Sequence, residues 1–111
     1  IMDSRLDKAL EFSNYMTTLN NQKRLLWENY QQNLVYYFNG GKFTITTDLI
    51  SFLEAVKYDS YVLIDDNNLP VKVDTRKFLL DIRIKHQKAT TEYYEEYSKI
   101  KSKRKVEDLI A

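Results

Sequence analysis

The stretch FLLDIRIKHQKATTEYYEEYSKIKSKRKVEDLI, Phe78 to Ile110, contains neither Gly nor Pro. Its apolar and aromatic residues at Leu79, Ile82, Ala89, Tyr93, Tyr97 and Ile100 are three, four or seven positions apart, so they share one face of a helix. Charged side chains fill most of the remainder. A helix of about 35 residues, rising about 1.5 Å per residue, is about 50 Å long, more than the breadth of a compact domain of this size. Such a helix needs a partner along its apolar face, and the rest of the chain is read outward from that requirement.

The partner is predicted at the other end of the chain. Asp3 or Ser4 can cap a first helix, and Asp7 then lies in its first turn, where the helix dipole favours negative charge. A heptad-like seam runs through Ala9, Phe12, Met16, Leu19, Lys23, Leu26, Tyr30, Asn33 and Tyr37, which predicts a helix over about residues 4–38. Lys23 and Asn33 interrupt the seam. Leu10, Leu25, Trp27, Leu34 and Phe38 widen the apolar face beyond what a two-stranded coil would use. Asn39, Gly40 and Gly41 are read as the helix stop.

Between the helices, residues 42–73 are predicted to form a small β head. The alternating, β-branched segment KFTIT (42–46) reads as a strand, and Thr47 as the cap of a short helix over residues 48–57. YVLI (61–64) and LPVKV (69–73) flank the turn cluster Asp65-Asp66-Asn67-Asn68, which signals a hairpin. Pro70 lacks an N–H, so its strand is expected at a sheet edge or only partly paired. Asp74 or Thr75 caps the last helix, over about 75–110. The expected fold is α+β: a single domain (1–111) of two long antiparallel helices, a helical hairpin, with a β head of strand, short helix and β-hairpin between them. The charge pattern agrees with antiparallel helices, because Asp3, Asp7 and Glu11 then face the basic end at Lys99, Lys101, Lys103, Arg104 and Lys105.

Composition narrows the class. With 43% hydrophobic and 30% charged residues the chain belongs with folded, water-compatible proteins, and at 111 residues its core is modest. Two Gly and one Pro predict long elements, and nine Tyr suit half-buried positions where the ring packs and the hydroxyl meets water. A formal charge of +1 supplies no general attraction to nucleic acid or membrane. The lack of cysteine excludes disulfides and thiolate chemistry. No apolar run approaches the ~18 residues of a membrane span, and no secretory pattern opens the chain, so a cytoplasmic protein is expected, with Met2 as its natural start.

The candidate chemical groups mostly have structural readings. His86 lies on the apolar face of the last helix with Ile82 and Thr90 one turn away, and reads as a core or interface residue. The 65–68 cluster carries oxygen ligands, yet Asp and Asn are also what a tight turn requires, and the EF-hand glycine and glutamate are missing. Glu92, Glu95 and Glu96 include two carboxylates placed for ordinary helix-surface pairs with Lys99. Gly40-Gly41 has neither the spacing nor the strand-to-helix setting of a phosphate loop. No catalytic residue, metal ligand or cofactor is assigned. The run KIKSKRK, Lys99 to Lys105, follows Tyr93, Tyr94 and Tyr97 and is the candidate nucleic-acid site, through Lys99, Lys101, Lys103, Arg104 and Lys105. The same charges also suit a helix C-terminus.

Two resemblances follow from these segments. Long helices joined through β structure resemble the subunit plan of prefoldin-type chaperones in topology. The residues YVLIDDNNLPVKVD (61–74) through TTEYYEEYSKIKSKRKVEDLI (90–110) are similar in style to small uncharacterised proteins of T4-like, including marine, tailed bacteriophages. That resemblance implies an accessory or assembly protein of the host cytoplasm and supplies no site residues. The expected function is a non-enzymatic interaction protein that forms a homo-oligomer through its long helices, with an unknown protein partner. The alternative is an accessory protein that binds single-stranded nucleic acid through the basic helix.

Overall fold

In the computed structural model the backbone is described from Ser4 to Ile110 and the side chains from Leu6 to Ser102. The elements run α1 (Ser4–Asn33), β1 (Val35–Phe38), β2 (Gly41–Thr44), α2 (Thr47–Ala55), β3 (Ser60–Ile64), β4 (Pro70–Asp74) and α3 (Thr75–Ile110). The chain is therefore α+β, with long helices on either side of a β-rich middle in the sequence. Its residues group into two compact units, one comprising Tyr30–Glu92 and the other the helical segments up to Asn29 and from Tyr93 onward.

The first helix ends at Asn33 and not near residue 38, because Val35 to Phe38 form a strand that the helical seam concealed. β-Branched and aromatic residues are weak helix formers and strong strand formers. The run also leads into Asn39-Gly40, whose φ angles of 47° and 78° are both positive, as a type I′ hairpin turn requires. β1 and β2 pair antiparallel, with Tyr36 opposite Phe43 and Phe38 opposite Gly41. Ile45 N donates to Leu34 O (2.8 Å) and extends the ladder. Alternation then places Leu34, Tyr36, Phe38, Gly41, Phe43 and Ile45 on one face, toward the core, and leaves Tyr37 70% exposed on the other.

Phe78 of α3 is fully buried against that face. Its ring meets Phe43, Tyr36 and Phe38 in edge-to-face contacts, with centroids 5.0, 5.4 and 5.5 Å apart. Ile82 and Ala89 continue the α3 contribution, while Leu53, Leu63, Val71 and Val73 close the core from α2, β3 and β4. α2 is capped by Thr46, one residue earlier than expected, whose Oγ1 accepts from Leu49 N (3.0 Å). Arg83 of α3 pairs with Glu54 of α2 at the surface.

β3 and β4 pair along their whole length, from Ser60 opposite Asp74 to Ile64 opposite Pro70. Thr75 N donates to Asp59 O (3.0 Å) and Asp65 N to Leu69 O (2.9 Å). Antiparallel bonds alternate between pairs, so the intervening bonded pairs are Tyr61 with Val73 and Leu63 with Val71. Pro70 consequently stands where its nitrogen points away from β3. It removes no bond from the ladder, and of the two alternatives expected for this strand the sheet-edge position is the one observed.

The 65–68 turn binds the two hairpins together. Leu69 N (2.8 Å) and Asn67 N (3.0 Å) donate to Asp65 Oδ1, and Lys42 N of β2 donates to Asp65 Oδ2 (3.1 Å). Asp66 N donates to Lys42 O (2.8 Å), while Thr44 donates to Asp66 through its hydroxyl (2.6 Å) and its backbone N (3.3 Å). On the β2 edge that β1 does not use, Lys42 N, Lys42 O and Thr44 N are thus answered by two aspartates and a turn amide. Asn68 completes the turn at φ 63°. Among the described residues no group of three or more His, Cys, Asp or Glu is arranged to hold a metal ion.

Two expected outcomes follow from this packing. A Cβ built on Gly41 would stand 2.6 Å from Val71 Cγ2 and 3.0 Å from Phe43 Cε2, and the branched Val71 side chain has little freedom to withdraw. Gly41→Ala should therefore lower the unfolding free energy in urea by about 1–3 kcal/mol. An unchanged denaturation midpoint would show that the sheet contact yields. The second outcome concerns Asp65, whose carboxyl is held below the usual carboxylate range, first by the Leu69 amide and then by those of Lys42 and Asn67, against its burial. A lowered native value stabilises the fold above the unfolded value near 3.8, and this contribution is lost as pH falls through the native value. The melting temperature of Asp65→Asn should lie below that of the natural protein at neutral pH, and the gap should narrow as pH is lowered past 3.8.

Candidate interaction surfaces

The helical unit is held by few enclosed side chains. Among the described residues of α1 in this unit, Leu19 is the buried one, at 4% exposure. Trp27 meets Tyr93 edge-on (5.9 Å between centroids), and Lys23 Nζ lies 5.7 Å from the centre of the Tyr97 ring. The lysine that interrupts the apolar seam thus packs its stem and places its ammonium on an aromatic face. Tyr93 and Tyr97 also contact each other at 6.1 Å. In these contacts residue numbers fall along α1 as they rise along α3.

Apolar residues remain uncovered around this pair. Leu25 is 57% exposed, Trp27 51% and Tyr94 71%. Leu25, Leu26, Gln22, Tyr94, Ser98 and Ile100 are among the residues lining an open groove of about 820 Å³. Glu95, Glu96 and Lys99 form its polar rim. A smaller cavity of about 80 Å³ lies among Leu19, Lys23, Tyr97, Ile100 and Lys101. Of the five residues expected to widen the apolar face of the first helix, Leu34 and Phe38 belong instead to the core side of the first hairpin, while Leu10, Leu25 and Trp27 are exposed on α1, as is Tyr94 on α3.

The basic candidates separate. Lys99 and Lys101 are exposed on α3, whereas the side chains of Lys103, Arg104 and Lys105 lie outside the described residues. Those of Asp3, Val106, Leu109 and Ile110 do too. Lys99 Nζ donates to Glu96 Oε1 (3.0 Å), and this bond, with the negative charges of Glu96 and Glu95, raises the lysine's pKa. Arg24 forms a looser pair with Glu28 at 3.9 Å. Exposed pairs of this kind contribute little to stability. Tyr93 and Tyr97, expected as stacking platforms, are half-buried and engaged with Trp27 and Lys23.

In the Tyr30–Glu92 unit, a shallow cleft of about 330 Å³ is lined by Asn33, Asp81, Lys85, Lys88 and Glu92 with Ile84 and Ala89. Asp81 accepts a hydrogen bond from the Tyr36 hydroxyl (2.7 Å). Burial, that bond and the charge of Asp81 push the Tyr36 phenol up to about 12, so it serves as a proton-bearing donor and not as a base near neutrality. His86, on the same helix, is half-buried. Tyr30 and Thr90 share a hydroxyl hydrogen bond of 2.9 Å.

Comparison with protein-family models, with curated proteins and with solved structures gave no match.

The Tyr36 environment is directly measurable. Absorbance titration should show one tyrosine ionising near pH 12, and Asp81→Asn should lower that value by removing the acceptor charge. Because the native value lies above the ordinary 10.0, the associated stability is complete below pH 10 and lost as pH rises from 10 toward 12. Ionisation of every tyrosine near pH 10 in the folded protein would contradict the contact.

Proposed function

We propose that the protein is a non-enzymatic interaction and assembly protein that self-associates through its long helices. The carrying observation is the uncovered apolar surface of the helical unit, at Leu25, Trp27 and Tyr94 around a sparse internal seam. Contiguous exposed apolar surface on a water-soluble helix pair favours association. The finer architecture of this reading is an antiparallel helical hairpin bearing a β head. It is supported by the reversed order of the Trp27 to Tyr93 and Lys23 to Tyr97 contacts. The expected partner is a second copy, which would place Leu25 and Tyr94 against equivalent residues and give a helical bundle.

The alternative, single-strand binding through Lys99, Lys101, Lys103, Arg104 and Lys105, draws less support. Of the three tyrosines beside the basic run, Tyr94 alone is more than half exposed, while Tyr93 and Tyr97 have aromatic or cationic partners in the fold.

Light scattering at tens of micromolar tests both readings. The expected result is a dimer or larger species, converted to monomer by Leu25→Glu with Tyr94→Glu without loss of helical circular dichroism. A strictly monomeric natural protein would refute self-association. A mass increase on adding a short single strand, reversed steeply by salt, would transfer the basic helix to the nucleic-acid reading.

A further inference from the structure

The three strand edges other than that of β1 are finished differently. The free edge of β2 is occupied by Asp65, Asp66 and their turn. On β4, the carbonyl of Lys72 accepts from Asn39 Nδ2 (3.1 Å), and Pro70 has no N–H to offer. β3 carries neither device. Its bonds to β4 use the Tyr61 and Leu63 positions, so the backbone groups of Ser60, Val62 and Ile64 point away from the sheet. Among the described residues no hydrogen bond from another element reaches them.

The edge strand itself is apolar in the centre, with exposed Lys72 of β4 opposite Val62, and acidic residues flank its ends. SYVLI contains no charge, Pro or Gly, the features that usually protect an edge from pairing. Val62 and Ile64 are 53% and 63% exposed. On the core side, half-buried Tyr61 meets Phe52 of α2 edge-on at 5.6 Å, and Phe52 is itself 44% exposed. An added strand would find apolar contacts for side chains on both of its faces. Exposed Asp59 lies just before β3 and exposed Asp66 just after it, while Asp65 between them is buried with its carboxylate on the turn and Lys42 amides. β1 also has outward groups, at Val35 and Tyr37, but offers two such residues where β3 offers three.

We infer that the free edge of β3 is a strand-docking site for an extended segment of another protein, apolar at its centre and ending in Lys or Arg. Main-chain bonds to Ser60, Val62 and Ile64 supply the attachment, and the exposed charges of Asp59 at one end and Asp66 at the other select the basic termini. A second copy of this chain is the poorer occupant. The antiparallel register that pairs all three outward residues of two β3 strands sets Asp59 of each copy beside the Asp65-Asp66 turn of the other, a juxtaposition of like charges. β1 differs in having its helix immediately before and the Asn39-Gly40 turn immediately after, with no acidic bracket.

The full-length protein, labelled with ¹⁵N, would be titrated with the synthetic peptide KVTVTVK and with EVTVTVE. The inference expects saturable binding of the basic-ended peptide below about 1 mM, protection of the Val62 and Ile64 amides from exchange, and at least about tenfold weaker binding of the acidic-ended peptide. Val62→Pro removes an outward N–H without touching the β4 ladder and should weaken binding at least about tenfold. Should that variant unfold, Ile64→Lys keeps the N–H, opposes the basic peptide and should give the same loss. Failure to saturate, equal binding by both peptides, unchanged binding in the variants, or protection confined to the helical unit would each overturn the inference. So would Val62 and Ile64 protection that rises with protein concentration alone, which would assign the edge to a second copy.

Discussion

The Tyr30–Glu92 unit depends on the burial of one ring. Phe78 has no exposed surface and receives the edges or faces of Tyr36, Phe38 and Phe43, so a single α3 residue engages both strands of the first hairpin. Fully burying such a ring is worth about 1.5–3 kcal/mol, and its aromatic contacts add to that. The contact requires Tyr36 and Phe38 on one face with Phe43, which in turn requires the Asn39-Gly40 turn to set the register. Moving that register by one residue would turn the aromatic face toward water and put Tyr37 in the core. The hydrogen bond from Tyr36 to Asp81 then fixes the ring's polar end against the same helix.

The aspartates of the second hairpin do for the polar backbone what Phe78 does for the apolar core. A β-hairpin on its own is marginal, and each hairpin here has only two strands. Asp65 and Asp66 couple them by accepting from the amides that β2 would otherwise leave unpaired, while Gly41 lets Val71 come close. A turn sequence that could hold a cation is instead occupied by its own backbone. This arrangement also distributes the remaining edges unequally, which leaves β3 open while β2 and β4 are protected.

The helical unit obeys a different balance. Among the described residues Leu19 is its enclosed residue on α1, and the interior is completed by tyrosines, Trp27 and the stem of Lys23. Amphipathic side chains can close a thin interior because only one end of each must be dry. They also leave Leu25, Trp27 and Tyr94 at the surface, and this incomplete enclosure supports the assembly reading. The functional readings of the two units rest on separate observations, exposed helical apolar residues in one and an unprotected strand edge in the other.

The amino-acid sequence by itself determined the long helices, the short capped helix and the β3–β4 hairpin, because each has a local cause in periodicity, cap or turn chemistry. It also contained the β1–β2 hairpin, in the strand-forming residues 35–38 followed by Asn39-Gly40. Those residues equally extend a heptad seam, and a hairpin is distinguished from a helix stop only when residues 41–45 are recognised as its second strand. Tertiary structure decided which features met. Asp65 reaches Lys42 across 23 positions and Tyr36 reaches Asp81 across 45, separations over which no sequence period operates. The outward direction of the β3 amides was likewise hidden, since it follows from the pairing phase with β4. Periodicity is a property of neighbours along the chain, whereas exposure and hydrogen-bond partners depend on what packing brings beside them.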